Sequence, residues 1–463
     1  MLLAALVAAL TFAPVAGSVG TPIVAHASHV APNTAYALVW HTGRAHWQVA
    51  EGKFFGIAAP DASRTLARGT SNASGTLDLR FTVPEDFGYI HDVELQANGT
   101  VAANQGFTVV PRLTISPSSG PLGTPVTVTM TGIGYRFYQA VWHLMYDGAQ
   151  TGWLSAITTH GTARVTIPAT GTIGMHTLQA LEGPTAPYLN EAQSPNYQPF
   201  IPTVLAQRFR VTPGAPRLPD SAIAQSPPRA GDPSTFTAAP SLSTNFGSGP
   251  VGSPVTLKGR AFAPATKIAL DWETVVGDDI TGRGWTLQRR PLATATSDRS
   301  GAFTIRFRTP DDLGGDHHII AHASGVANGP ETSTTYDLVP SIVGFTPSAR
   351  PGALITIHVK GGGWSETGNI YTVVVDNAYF GYACGFNTQG DIMMKIHAPG
   401  QSGWHFIDLY PAIYNGKIQG PGSPPQGSDV NGSYFLLPML NVADHPGEKL
   451  PAFHLALRVE GNE

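Results

Sequence analysis

Two long stretches of this chain occur twice, and that repetition constrains the fold more than any other feature. Ala31 to Thr42 returns 232 residues later as Ala263 to Thr274, so that Trp40 becomes Trp272, and Leu66 to Gly99 returns 226 residues later as Leu292 to Gly325. A six-residue difference in loop length separates these two blocks. Gly123 to Gly183 aligns without a gap on Gly352 to Ala412, 229 residues on, pairing Asp147 with Asp376 and Gly161 with Gly390. Repetition at this scale marks copied structural units. The order is A, B, linker, A′, B′.

The length of 463 residues agrees, since roughly 100 to 150 residues per domain gives about three to four domains. The chain has 52 glycines and 39 prolines, and only 13% of its residues are charged. Short strands joined by tight turns suit that balance; helical bundles and coiled coils do not. Leu77-Asp-Leu-Arg-Phe81 and Phe303-Thr-Ile-Arg-Phe307 alternate strictly, as do Val126 to Met130 and Ile355 to Val359. Each predicts a strand with one buried and one wet face. The expected fold is all-β: tandem immunoglobulin-like β-sandwich domains arranged as a duplicated two-domain pair.

Residues 1–18 form an apolar segment ending in small residues, which reads as a secretory leader cut near Gly17, or else as a buried strand of the first domain. The expected units are A at 19–110, B at 111–212, a Pro/Ala/Ser linker at 213–239, A′ at 240–339 and B′ at 340–438. The linker is expected to be a semi-flexible spacer between two rod-like pairs, each stiffened by its short junction at Pro111 or Pro340. Phe435 to Pro438 resembles the domain exits at Pro111 and Pro340, so the tail 439–463 reads as the start of a fifth unit or as a strand that docks elsewhere. No later stretch is apolar enough to span a bilayer. Sequons at Asn72, Asn98 and Asn431 fit an extracellular or cell-surface address.

The run Ser116-Pro-Ser-Ser-Gly-Pro-Leu-Gly-Thr-Pro-Val-Thr-Val-Thr-Met-Thr-Gly132-Ile-Gly-Tyr135 resembles the opening of bacterial immunoglobulin-like repeats of the IPT/TIG type. Unit B carries the resemblance best. Unit B′ lacks the Thr after Gly352, and the A units keep only the turn and strand. The resemblance implies a modular secreted or surface protein.

One position recurs in all four units: His91, His176, His317 and His405 each precede aliphatic residues two and four positions on. In immunoglobulin-like sandwiches an aromatic at this place ties its polar end to nearby backbone, the tyrosine-corner arrangement. These histidines are assigned as structural pins, because four active sites would require their partners to recur as well, and none does.

Little else in the sequence suggests chemistry. His318 and His322 lie about 13 Å apart on an extended strand, too far for one zinc ion. The acidic turns Glu85-Asp86 and Asp311-Asp312 read as solvated turns. The lone Cys384 excludes a disulfide framework within the chain and is expected to be buried. No nucleophile elbow, P-loop or zinc-protease motif is present, so no catalytic, cofactor or metal residues are assigned. The net charge of −4 without visible clusters of Lys and Arg argues against nucleic acid. Trp47, Trp153 and Trp285 do not recur and flank loops, which makes them candidate ligand contacts. The expected function is a non-enzymatic extracellular or cell-surface spacer or adhesion module whose partner is a surface polysaccharide or another surface protein. Two alternatives are glycan-binding accessory modules of a secreted carbohydrate-active enzyme and a surface-layer lattice subunit.

Overall fold

Alternation dictates the strands, and the four units use it in the same way. The structure, a computed structural model, describes residues 7–50, 52–183, 204–219, 240–278, 284–326, 330–385, 388–413, 437–447 and 449–461. The linker residues 220–239 and Asn431 lie outside the described residues. No α-helix occurs among the described residues.

Unit A contains β1 (Ala9–Ala13), β2 (Ala16–Gly17), β3 (Pro22–Ser28), β4 (Ala35–Gly43), β5 (His46–Ala50), β6 (Lys53–Ala58), β7 (Asp61–Thr70), β8 (Leu77–Thr82), β9 (Tyr89–Ala97) and β10 (Thr100–Val109). A three-stranded sheet, β1-β3-β8, faces a five-stranded sheet, β2-β10-β9-β4-β7, while β5 and β6 form a separate hairpin. The other units repeat the three-plus-five arrangement with the same strand order. This is the immunoglobulin-like sandwich expected from the repeats. Each unit has its own apolar core, with Trp40 fully buried in unit A and Trp272 buried at the matching place in A′.

The first boundary moves. β1 lies inside the segment 1–18, read from the sequence as a leader or else as a buried strand of the first domain, and it pairs antiparallel with β3 as a strand of that domain. Leu10 and Phe12 point into the core, where the Phe12 ring meets Phe107 at 5.4 Å and Phe81 at 6.1 Å. The sandwich therefore starts at Ala9 rather than Val19, and a cut near Gly17 would remove β1 together with β2, which pairs with β10.

The last boundary moves too. Strand Phe453–Val459 pairs antiparallel with Gly403–Ala412 and completes the five-stranded sheet of B′. Phe453, Leu455, Leu457 and Val459 supply one inward face. The tail 439–463 thus ends the fourth unit instead of starting a fifth, and residues 437–438 are no domain exit, since they dock on unit B.

Glycines set both intra-pair junctions. Gly88 donates its N–H to the Ile133 carbonyl at 3.1 Å, and Gly314 repeats this toward Gly362 at 2.9 Å. A Cβ at Gly88 would lie 1.8 Å from the Gly132 carbonyl oxygen; at Gly314 it would lie 2.0 Å from that of Gly361. Backbones this close leave room only for glycine.

The two pairs are not separate rods. Phe406, Asp408 and Tyr410 alternate with the inward residues of Gly403–Ala412, and all three are buried. Unit B covers them. Tyr410 and Val374 enter the apolar cluster of unit B, and Thr151 donates to the Asn377 carbonyl at 2.6 Å. The Asn377 amide donates to the Pro168 carbonyl at 2.8 Å. An outward apolar face needs such cover, so the pairs pack side by side.

Candidate functional site

The six extra residues of unit A build the feature that organises the molecule. In A′ the corresponding chain runs as one long hairpin of strands Lys267–Asp278 and Gly284–Thr296. In A it breaks after β4, and β5 and β6 form a hairpin turning at Gly52, where φ is +71°. Trp47, Phe54 and Ile57 form the apolar face of this hairpin and pack with Phe87 of unit A, Phe137 and Trp153 of unit B, and Met439 of B′. This is a fifth apolar core, shared among three units.

Polar contacts fix its edges. The buried carboxylate of Asp444 accepts the Ser155 hydroxyl and the Thr158 hydroxyl, the latter at 2.7 Å, together with the Thr158 N–H at 2.5 Å. Burial pushes the Asp444 carboxyl above its ordinary range, against the hydrogen bonds from Ser155 and Thr158. The Asp444 carbonyl accepts the Trp47 indole N–H at 2.6 Å. On the other side of the hairpin, the Glu366 carboxylate accepts the Phe54 N–H at 2.8 Å, and the Glu366 N–H donates to the Gly52 carbonyl at 2.7 Å. Beside Gly52 the Trp364 ring comes so close that a Cβ would meet it at 2.7 Å.

A cavity of about 700 Å³ opens beside this junction, lined by His46, Trp47, Thr158, Val339, His445 and Lys449 among others. Its volume falls in the range of small-molecule sites.

The three tryptophans expected at ligand-contact loops fare differently. Trp153 is fully buried: its N–H donates to the Pro438 carbonyl at 2.9 Å, and its indole donates to Leu437 at 3.2 Å. Trp47 is buried as well. Both fill the shared core, so neither offers a stacking surface to sugars. Trp285 is half-buried and meets Trp364 edge-on at 6.1 Å. Sequence reasoning missed the junction because Trp47 and Asp444 lie 397 residues apart. One signal was available, the run Phe406 to Tyr410, in which Asp408 is the only charged residue.

The four histidines occupy equivalent places. Each is the third residue of its strand, and its Nε2 donates to the carbonyl four residues back: His91 to Phe87 at 2.8 Å, His176 to Thr172 at 2.7 Å, His317 to Leu313 at 2.7 Å and His405 to Gln401 at 2.8 Å. The Nδ1 contacts separate the two kinds of unit. His91 and His317 meet the carbonyls of His41 and Glu273, both at 2.8 Å. His176 and His405 meet the carboxylates of Asp147 at 2.5 Å and Asp376 at 2.6 Å. Those aspartates begin hairpin turns with φ of +49°, and their second oxygens accept the N–H of Thr177 and Phe406. The hydrogen bond to Asp376 raises the His405 pKa above the ordinary histidine range, against the effect of burial.

Two further expectations are corrected. Asp86 and Asp312 are buried, not solvated: each accepts a tryptophan indole, from Trp40 at 3.0 Å and Trp272 at 2.9 Å. Cys384 is exposed, not buried, because it ends the alternating edge strand Ala378–Cys384 on the face that also carries the exposed Phe380 and Tyr382.

A second cavity, of about 280 Å³, lies between units B and B′ and is lined by Phe406, Asp408, His454, Ile167 and Arg217 among others. Asp408 is buried and receives His454 Nδ1 at 2.8 Å. Burial raises the Asp408 carboxyl, with His454 opposing; burial lowers His454, but Asp408 outweighs that and leaves it raised. Among the described residues, no group of three or more His, Cys, Asp or Glu side chains could hold a metal ion. His322 instead meets Asp271 at 3.0 Å. No helix among the described residues is long and apolar enough to cross a membrane.

No family model matches the chain, and no curated protein matches it significantly. Among solved structures it is similar to Salmonella α-2-macroglobulin reacted with methylamine, at 10% identity and a TM-score of 0.20, over 96% of this chain and 30% of that one. The chain thus spans less than a third of that protein. It is also similar to an ICAM-5 D1–D4 ectodomain fragment, at 12% identity and a TM-score of 0.17, over 98% of this chain and 100% of that one. A third likeness is to Yersinia pseudotuberculosis InvD, at 12% identity and a TM-score of 0.17, over 72% of this chain and 97% of that one.

Proposed function

We propose that the chain is a non-enzymatic scaffold of an extracellular or cell-surface protein, holding four immunoglobulin-like sandwiches at fixed mutual orientation for adhesion. The observation that carries this reading is the shared fifth core, in which the β5–β6 hairpin of unit A, the 437–447 segment of B′ and the loops of unit B are buried together. Such a core serves no single sandwich; it is useful where the relative placement of outer surfaces matters. The resemblance of Ser116 to Tyr135 to IPT/TIG repeats supports a bacterial surface setting for the same reading.

The test is attachment. Beads coated with the protein are expected to bind envelope preparations of the source cells, and a Trp153→Ala variant, with the units intact but the junction opened, is expected to bind several-fold less. Equal attachment by the two proteins, or none by either, would count against the scaffold role.

A further inference from the structure

The overall charge of −4 gives no reason to expect attraction to acidic partners. The fold nevertheless collects cations on one surface. In A′, strands Ser241–Thr244, Pro254–Arg260 and Phe303–Arg308 form the three-stranded sheet. Leu242, Val255, Leu257 and Phe303 point into the core, which sends Lys258, Arg260, Arg306 and Arg308 outward, all exposed. Register places Arg308 opposite Pro254, Arg306 opposite Thr256 and Lys258 opposite Thr304, with Arg260 one outward position beyond. Outward positions two residues apart are about 6.6 Å apart, so the four cations form a row of about 20 Å across two neighbouring strands.

The rest of this face is built to match. Ser241 lies opposite Arg260 and Ser243 opposite Lys258, while Thr256 and Thr304 stand between the cations. No outward strand position on the face carries a carboxylate. The duplicated unit supplies an internal control. At the equivalent places unit A has His26 for Lys258, Ser28 for Arg260, Asp78 for Thr304 and Thr82 for Arg308, retaining only Arg80 for Arg306. There His26 pairs with Asp78 at 2.6 Å. The sandwich folds without the cations, so their presence in A′ is not a requirement of the architecture.

We infer that this face of A′ binds a linear acidic polysaccharide. Charge complementarity selects a polyanion, and Lys258, Arg306 and Arg308 can meet carboxylates or sulfates at successive positions along the row. Interleaved hydroxyls offer hydrogen bonds to sugar hydroxyls. No outward strand position on the face carries an aromatic side chain on which bases would stack, which disfavours single-stranded nucleic acid. None carries a large apolar side chain to enter a lipid surface either. The sequence hid this surface because the two strands that share the row lie more than forty residues apart.

This inference takes the scaffold reading as its premise and names one partner for it. Titration with polygalacturonate and with heparin is expected to show salt-sensitive binding, with neutral dextran inert. Combined replacement Lys258→Thr, Arg306→Thr and Arg308→Thr is expected to weaken binding at least tenfold with an unchanged melting midpoint. Transplanting His26→Lys, Asp78→Thr and Thr82→Arg into unit A of that variant is expected to restore binding. Unchanged affinity in the first variant, or tighter binding to oligothymidylate or to phosphatidylglycerol vesicles than to polygalacturonate, would overturn the inference. Bead attachment that persists without polysaccharide binding would remove this inference alone and leave the scaffold role standing.

Discussion

The imidazole of His91 stacks on the indole of Trp40 with centroids 4.3 Å apart and planes 24° apart, and the duplicate pair His317 and Trp272 repeats this at 4.4 Å and 24°. The indole N–H of each tryptophan ends on a buried carboxylate, Asp86 or Asp312. Histidine, tryptophan and aspartate thus tie the strand carrying the histidine, the strand carrying the tryptophan and the turn before the histidine into one buried network. In unit B, Tyr146 takes the place of the tryptophan and stacks on His176 at 5.6 Å.

Removing the imidazole should therefore loosen a unit without touching any reactive group. His91→Ala and His317→Ala are each expected to cost about 1 to 3 kcal/mol, through lost stacking and carbonyls left without a donor. Urea denaturation checks this, and wild-type midpoints for both variants would refute the pinning role.

Unit B′ should show a pH dependence of its own. The His405 pKa is raised in the folded protein by Asp376. Its stabilising contribution is therefore complete below the unfolded value of about 6.5 and is lost as pH rises through the higher folded value. Melting curves between pH 6 and 8.5 should show the transition of B′ falling with pH, and Asp376→Asn should reduce that slope, leaving the part that His454 contributes through Asp408.

The glycine junctions predict a steric effect. Gly88→Ala would place a methyl group against the Gly132 carbonyl, and Gly314→Ala one against Gly361. Each should cost about 1 to 3 kcal/mol by forcing backbones apart. Hydrogen exchange at Gly88, or at Gly314, and at its neighbours across the junction should accelerate while exchange in the distant three-stranded sheets does not.

The N-terminal strand belongs to the first core, so Phe12→Ala is expected to destabilise unit A by about 3 to 5 kcal/mol. A chain beginning at Ser18, which lacks β1 and β2, should lose the cooperative transition of unit A. Retention of that transition would show that these two strands are dispensable.

Much of the architecture was legible because it rests on local periodicity and on duplication. Leu77 to Phe81 alternates and forms β8 with its odd-numbered residues buried. The histidine position was visible from its fourfold recurrence. The association of the units was not legible, since it joins Trp47 to Asp444 and Phe54 to Glu366 across hundreds of residues. Some signs were present all the same. Gly403–Ala412 is buried on both faces, unlike the alternating Gly174–Glu182, and its run Phe-Ile-Asp-Leu-Tyr records that difference. Asp86 and Asp312 could have been recognised by their co-occurrence with Trp40 and Trp272 in the A units alone. Trp47 and Trp153 were misplaced because a tryptophan that does not recur can serve a contact made only once as readily as it can serve a ligand.

The central claim is that the shared core holds unit A and unit B′ in one relative position. Spin labels at Thr82→Cys in A and Lys395→Cys in B′, both exposed sites, with Cys384→Ser, report the distance between the two units by double electron–electron resonance. A single narrow distribution is expected, broadening when Trp153→Ala is added. A broad distribution in the otherwise unaltered chain would contradict the account.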